Sequence, residues 1–138
     1  MCRRNGAIDN VDDGNWSADM AHDRADFTPF KWGTYPEKLQ EAGVSWRVYQ
    51  EYDNFGDNPL ASFAAYRRVE KSSWAYKRAR SFAPGSTAAN MHETEGRYLV
   101  AEFERDVAQG TLPQVSWIVP PTALSEHPNA PPRAMGNT

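Results

Sequence analysis

The residues of this sequence best suited to chemistry are a glutamate and a histidine that stand side by side, Glu126 and His127. An imidazole can be neutral or charged near pH 7, so His127 could donate a hydrogen bond to an anionic oxygen or protonate a leaving group. Glu126 could support the imidazole, although adjacent side chains usually point apart. This pair is the first candidate for a catalytic site, and the alternative is an ordinary surface histidine in a loop.

A short apolar segment, residues 115–119, leads into this pair. It is rich in β-branched and aromatic residues, which predicts a β-strand buried on both faces. Pro120 and Pro121 cannot donate ladder hydrogen bonds, so the strand must end there and a polar loop must begin. In open α/β sheets, ligands bind beyond the carboxyl ends of the strands, so we expect a site in this loop.

Two helix–strand units organise the chain. A capping-box pattern predicts a helix over residues 34–43, and alternating apolar side chains then predict a strand over residues 44–49. A second helix is predicted over residues 94–109, before the strand at residues 115–119, by an apolar stripe with a period of about four: Leu99, Phe103 and Val107. Helix followed by strand, twice, indicates an α/β fold in which the two strands are parallel.

A polar turn between the two units contains a second pair of candidates, Asp57 and Asn58. We interpret the turn, residues 53–58, as mainly structural. Asn58 is suited to be the N-cap of a helix that runs to about residue 70. The alternative is that the two side chains line a substrate pocket.

The chain divides into three segments by composition. Residues 1–33 are predicted to be an irregular polar loop whose aspartates are solvated, since their spacing does not fit a calcium loop. Residues 34–121 form the partial α/β domain. Residues 122–138 are an active-site-type loop followed by a loose, proline-containing C-terminal tail.

Composition excludes several classes of protein. The net charge of −3 has mixed signs, so no nucleic-acid partner is expected. Cys2 is the only cysteine, which excludes an internal disulfide and a cysteine-based zinc site. No apolar run approaches the ~20 residues of a membrane span. The N-terminus has basic residues without the apolar stretch that completes a signal peptide.

Three sequence blocks carry a resemblance to a known family. They are TYPEKLQEAGVSWRVYQ at residues 34–50, DNFGDNPL at residues 53–60 and LPQVSWIVPPTALSEHP at residues 112–128. In this order they resemble the bacterial phosphoesterase family that includes the non-haemolytic and haemolytic phospholipases C and related acid phosphatases. The resemblance implies an internal fragment of a larger enzyme with an alkaline phosphatase-like α/β sandwich.

The resemblance also implies roles for individual residues. The histidine of the Ser-Glu-His-Pro motif lies at the phosphate-binding site in the family, which assigns that role to His127 and a supporting role to Glu126. The family's Ser or Thr nucleophile and its metal-binding acidic residues fall outside the matched blocks. A divalent metal is therefore expected in the full enzyme, with no ligands in this chain.

The function implied for the full-length enzyme is hydrolysis of phosphate esters, with phosphatidylcholine-type lipids as the expected substrate and the periplasm or the exterior as the expected location. The isolated chain, which lacks the remainder of the enzyme, is expected to be inactive. Two alternatives stay open: an acid phosphatase of the same family, and a non-catalytic α/β interaction module.

Overall fold

A computed structural model describes residues 18–125 of the chain. Glu126 and His127 therefore lie outside the described residues. The main elements are helix α1 (Tyr35–Glu41), strand β1 (Trp46–Gln50), helix α2 (Arg97–Ala108) and strand β2 (Val115–Val119). Short helical turns lie at Met20–His22, Pro59–Ser62, Ala64–Tyr66, Tyr76–Arg80 and Thr122–Leu124.

Helix α1 begins as its sequence predicts. The Thr34 hydroxyl accepts a hydrogen bond from the Glu37 amide at 3.4 Å, and the Glu37 carboxylate accepts one from the Thr34 amide at 2.7 Å. Each side chain thus satisfies a backbone donor that the first helical turn leaves unpaired. Gly43 follows the helix with φ of 70°, a conformation that glycine adopts without strain.

Strands β1 and β2 pair in parallel, in a register that sets Trp46 opposite Val115 and Gln50 opposite Val119. This pairing confirms the prediction of an α/β fold with parallel strands. Because the strands are parallel, their carboxyl ends meet at one edge of the sheet. No helix within residues 18–125 is long and apolar enough to cross a bilayer.

The hydrophobic core lies on one face of the sheet. Trp46, Val48 and Val119 pack there with Leu39 of α1 and with Tyr66. The Trp46 ring meets the Tyr66 ring edge to face, with centroids 6.4 Å apart, a favourable aromatic geometry. The side chains at alternate positions of the two strands thus form one layer, which is buried along β1 and at Val119 and partly buried at Val115 and Trp117.

Helix α2 covers the opposite face, but mainly over β1. The Tyr49 ring contacts the Phe103 ring at a centroid distance of 5.3 Å. Because α2 lies over β1, Ile118 of β2 is left 54% exposed. The prediction that residues 115–119 are buried on both faces is therefore wrong within the described residues.

A buried ionic cluster, which the sequence pattern did not predict, joins α2 to β1. Arg47 donates to Glu102 at 2.6 Å and to Asp106 at 3.4 Å, and the Tyr49 hydroxyl donates to Asp106 at 2.7 Å. Glu102 is 3% exposed, whereas Val107, assigned to the apolar stripe, is 52% exposed. The inner face of α2 thus combines Leu99 with carboxylates, because a cationic side chain of β1 neutralises them.

The helix predicted from Asn58 to about residue 70 is wrong. Two short 3₁₀ turns replace it, Pro59–Ser62 and Ala64–Tyr66, and the extended Phe63 separates them. Phe30 pairs with this extended point, since its amide donates to the Ser62 carbonyl and its carbonyl accepts from the Ala64 amide, both at 2.9 Å. These tertiary hydrogen bonds replace the ones that a continuous helix would make.

One of the aspartates expected to be solvated is buried. The Asp23 side chain is 1% exposed and pairs with Arg80, which is 0% exposed, at 2.9 Å. The interpretation of the acidic cluster as solvated is therefore wrong at this position, because an arginine 57 residues further along the chain compensates the charge.

Candidate functional site

The carboxyl edge of the sheet is where both strands continue into polar segments. Asp53 follows β1 by three residues, and Thr122 follows β2 by three residues. The Asp53 carboxylate accepts hydrogen bonds from the Thr122 amide at 3.0 Å and from the Thr122 hydroxyl at 2.8 Å. This pair, here called the Asp53–Thr122 clasp, fixes the start of the segment that leads to Glu126 and His127.

The clasp is well supported on the β1 side. Asp53 is 5% exposed, and its carboxylate also accepts a hydrogen bond from the Phe55 amide at 3.1 Å. Three donors therefore converge on one buried carboxylate, an arrangement that holds its position.

Three buried carboxamides shape the turn that follows β1. Asn54 and Asn58 each donate to the Gln50 side-chain oxygen at 3.0 Å, and Asn58 also donates to the Ala79 carbonyl at 2.7 Å. The Asn58 oxygen accepts from the Leu60 amide at 3.1 Å, which confirms its prediction as an N-cap. The side-chain nitrogen and the side-chain oxygen of Asn58 thus both have hydrogen-bond partners within the protein.

Asp57 and Asn58 both line a cavity of about 300 Å³ beside the core face of the sheet. Asp57 is exposed and Asn58 is buried. The other walls are mostly apolar: Pro36, Val48, Pro59, Leu60, Trp117, Ile118 and Val119. Both residues of the turn for which substrate binding is the alternative interpretation therefore line one pocket, and Asp57 is its exposed charged group.

Glu51, directly after β1, is a buried carboxylate at this edge that the sequence did not single out. Its carboxylate accepts hydrogen bonds from the amides of Tyr98 at 2.9 Å and Leu99 at 3.1 Å, in the first turn of α2, and the residue is 0% exposed. Helix α2 begins after Gly96, which has no side chain to cap it. That missing cap was the available signal, since a buried helix start needs acceptors from elsewhere.

Gly96 also allows the loop after β2 to pack closely. It has φ of 80°, and a Cβ atom there would lie 2.8 Å from the Leu124 side chain. A side chain at this position would meet both backbone strain and a steric clash. The segment Thr122–Leu124 is thus held by the clasp at its start and by contact with α2 further along.

A smaller cavity of about 190 Å³ opens beside the clasp. Its lining includes Asp53, Thr122, His92 and Thr94. Within residues 18–125, the Thr94 hydroxyl is one of the buried polar atoms without a hydrogen-bond partner. His92 is exposed, as is His22.

The described residues do not fit a metal centre. Nowhere in residues 18–125 do three or more His, Cys, Asp or Glu side chains converge in an arrangement that could hold an ion. We therefore assign no metal ligand to these residues and derive no chemical step through a metal.

The fold and this edge define a class, that of α/β proteins in which polar segments follow the carboxyl ends of parallel strands. A profile of the Phosphoesterase family matches residues 6–138, and the chain belongs to that family. The resemblance stated from the three sequence blocks is thereby confirmed.

Several curated relatives are bacterial phospholipases C. The chain is 45% identical to a non-hemolytic phospholipase C of Pseudomonas aeruginosa, over 72% of this chain and 12% of the relative. It is 40% identical to a non-hemolytic phospholipase C of Burkholderia pseudomallei, over 74% of this chain and 16% of the relative. It is 36% identical to a hemolytic phospholipase C of P. aeruginosa, over 70% of this chain and 14% of the relative. The chain thus spans less than a fifth of the length of these relatives.

Proposed function

We propose that this chain is part of a phospholipase C-type hydrolase of phosphate ester bonds and that it supplies the loop carrying His127. The Asp53–Thr122 clasp is the observation that carries the proposal. It attaches the segment before Glu126 and His127 to the edge at which ligands of open α/β sheets bind.

His127 is the proposed catalytic residue, and Glu126 is its support. A histidine here would donate to an oxygen of the reacting phosphate or protonate the leaving group. In this proposal the cavity beside Asp57 and Asn58 receives part of the substrate. Asp57 is the exposed charged group there, and the Asn58 amide is hydrogen-bonded within the fold.

The remaining requirements of the reaction lie outside this chain in our proposal. They are the Ser or Thr nucleophile, the acidic residues that bind a divalent metal, and the other strands of an alkaline phosphatase-like sandwich. The substrate is a phospholipid of the phosphatidylcholine type, and the full-length protein acts in the periplasm or outside the cell. The isolated chain is inactive, because phosphoryl transfer needs a nucleophile and charge stabilisation together.

A graft tests the proposal. Residues 18–138 of this chain replace the matched segment of the P. aeruginosa non-hemolytic phospholipase C, and hydrolysis of phosphatidylcholine vesicles is measured. Once the graft is shown to be active, His127→Ala should lower kcat by roughly a hundredfold or more, the typical contribution of an acid–base residue. His22→Ala, a change at an exposed histidine, is the matched control and should leave kcat unchanged.

Two results would contradict the proposal. One is a His127→Ala graft as active as its parent. The other is the isolated 138-residue chain hydrolysing a chromogenic phosphodiester faster than its own His127→Ala variant. Assays with a phosphate monoester in parallel separate the acid phosphatase alternative, which predicts faster monoester turnover.

A further inference from the structure

A pocket with three arginines in its walls lies apart from the candidate site. Its volume is about 160 Å³, and its lining includes Arg24, Phe27, Arg67 and Arg68. It shares no lining residue with the cavity beside Asp57 or with the cavity beside the clasp. This feature, here called the arginine pocket, is therefore a separate place at which an anion could be held.

Arg68 is the arginine of this pocket that is available to a ligand. Arg24 donates to Asp26 at 3.0 and 2.7 Å. Arg67 is 9% exposed, and its guanidinium donates to the carbonyls of Ala61 at 2.8 Å and Arg24 at 2.9 Å. Arg68 is exposed, and within residues 18–125 its side chain has no hydrogen-bond or ion-pair partner. A guanidinium of this kind can bind a phosphate oxyanion through two parallel hydrogen bonds.

Positive charge is in excess around Arg68. The Asp23 carboxylate lies 2.9 Å from Arg80 and 4.0 Å from Arg67, so two buried cations share one anion. Arg68 adds a further cation beside them. Its backbone has φ of 53°, an uncommon conformation for a residue other than glycine. Residues held in such conformations cluster at sites that grip ligands, which agrees with a binding role for Arg68.

A row of aromatic rings, here called the aromatic strip, adjoins the arginine pocket. Phe27 lines the pocket, and the Arg67 guanidinium lies 4.7 Å from the centroid of its ring. The ring contacts continue from Phe27 to Phe30 at 6.2 Å and from Phe30 to Trp32 at 4.4 Å. Trp32 is 56% exposed. One surface therefore runs from an exposed aromatic end at Trp32 to a cationic end at Arg68.

An anionic lipid bilayer matches the chemistry of both ends of this surface. Tryptophan is favoured at the boundary between membrane and water, because its ring is apolar and its N–H is polar. Arginine is attracted to the phosphates of anionic lipids. A soluble phosphate would use the arginine pocket alone and would leave the Trp32 ring in water. The continuity of the two features thus favours a lipid surface as the partner.

We infer that the aromatic strip and the arginine pocket form a docking surface for an anionic lipid bilayer. Trp32 lies among the lipid headgroups, and the Arg68 guanidinium binds a lipid phosphate. The surface concerns attachment to the bilayer and not the chemical step. The inference therefore does not rest on the catalytic role of His127, and the two can fail separately.

Binding of the 138-residue chain to sedimented vesicles provides the first test. The chain should bind vesicles of phosphatidylcholine with phosphatidylglycerol more tightly than vesicles of phosphatidylcholine alone. Arg68→Gln should weaken binding to the anionic vesicles about fivefold, which corresponds to ~1 kcal/mol for one basic residue near such a surface. Arg97→Gln is the matched control, since Arg97 is an exposed arginine at the start of α2, and it should leave binding nearly unchanged. Equal losses in the two variants overturn the inference.

A measurement on the unaltered chain provides the second test and needs no substitution that could disturb folding. Anionic vesicles that contain a nitroxide-labelled lipid are added, and the indole N–H signals are followed by NMR. The Trp32 signal should broaden strongly, whereas the signal of Trp74, which is 41% exposed, should not. Equal broadening of both signals, or none at Trp32, overturns the inference.

A titration with inorganic phosphate distinguishes a soluble anion from a lipid. Saturation of Arg68 by inorganic phosphate, together with vesicle binding that Arg68→Gln leaves unchanged, would assign the arginine pocket to a soluble phosphate. That result overturns the inference, as does a chain that binds neither kind of vesicle. Vesicle binding that depends on Arg68 and brings Trp32 into contact with labelled lipid supports it.

Discussion

At the scale of single residues, Asp53 connects the two segments that the family resemblance singles out. It lies in the DNFGDNPL block and accepts two hydrogen bonds from Thr122, which lies in the block that ends in Ser-Glu-His-Pro. Hydrogen bonds to an ionised acceptor are about twice as strong as neutral ones. The order of the loop after β2 therefore depends strongly on this one carboxylate.

The substitution Asp53→Asn should loosen that loop. An asparagine replaces one carboxylate oxygen with an NH₂ group, which is a donor. That group would face the Thr122 amide on one side of the carboxamide, or the Thr122 hydroxyl and the Phe55 amide on the other. We expect the Thr122 amide to exchange about tenfold to a hundredfold faster, as follows from a loss of ~1.5–3 kcal/mol for hydrogen bonds to a charged group. Amide exchange followed by NMR measures this.

The control for this change is Asp57→Asn in the same turn, since Asp57 is exposed whereas Asp53 is buried. It should leave the exchange of the Thr122 amide unaltered. If both variants behave alike, the clasp does not order the loop.

At the scale of elements, the contact between β1 and α2 depends on an ionic cluster as well as on apolar packing. Arg47 is 22% exposed at its side chain, and its partners Glu102 and Asp106 are 3% and 12% exposed. Buried charges of this kind contribute little as pairs but become costly once one partner is removed.

The variant Arg47→Met should therefore destabilise the fold by about 3 kcal/mol or more, because it leaves two carboxylates buried without their main cation. Arg105→Met is the matched control. Arg105 contacts the same two carboxylates at 3.4 Å, but its side chain is 44% exposed, so its loss should cost less than about 1 kcal/mol. Urea unfolding at pH 7 measures both, and similar midpoints would contradict the prediction.

The elements that local signals specify were predictable from the sequence. The Thr34–Glu37 capping box spans three residues, and it placed α1 correctly. The Arg47–Glu102 and Arg80–Asp23 pairs span 55 and 57 residues, and neither leaves a local signal. The apolar stripe therefore assigned Val107 to the inner face of α2, whereas the structure exposes Val107 and buries Glu102 there.

The candidate site was predictable to the same degree. Residue types and the proline pair placed the end of β2 and the N-cap role of Asn58 correctly. The Asp53–Thr122 clasp joins residues 69 apart, and it forms only because the two strands pair in parallel at one register. The roles of Glu126 and His127 stay predictions, since both lie outside the described residues.

At the scale of the whole molecule, a buried tyrosine on each face of the sheet makes stability sensitive to high pH. Burial, a hydrogen bond to Asp106 and the charge of that carboxylate raise the pKa of Tyr49 to about 12. Burial raises the pKa of Tyr66 to about 12 as well. Both values exceed the pKa of about 10 expected for tyrosine in an unfolded chain.

The free energy of unfolding should therefore fall as the pH rises from about 10 to about 12. In that window the unfolded chain releases phenolic protons that the folded chain retains, and below pH 10 both states keep them. Urea midpoints at pH 9 and pH 11.5 measure the loss. Tyr49→Phe should reduce the loss, and Tyr35→Phe, at a residue that is 66% exposed, should not. A loss unaffected by Tyr49→Phe would refute this origin.

The position of Glu51 has a consequence for how a phosphate group can be held. The first turn of a helix commonly serves as an anion-binding site, because its free amides and the helix dipole attract negative charge. In α2 the amides of Tyr98 and Leu99 are already bonded to the Glu51 carboxylate. A phosphate approaching there would meet an occupied set of donors and a like charge. The start of α2 is therefore unsuited to hold the phosphate of the proposed substrate.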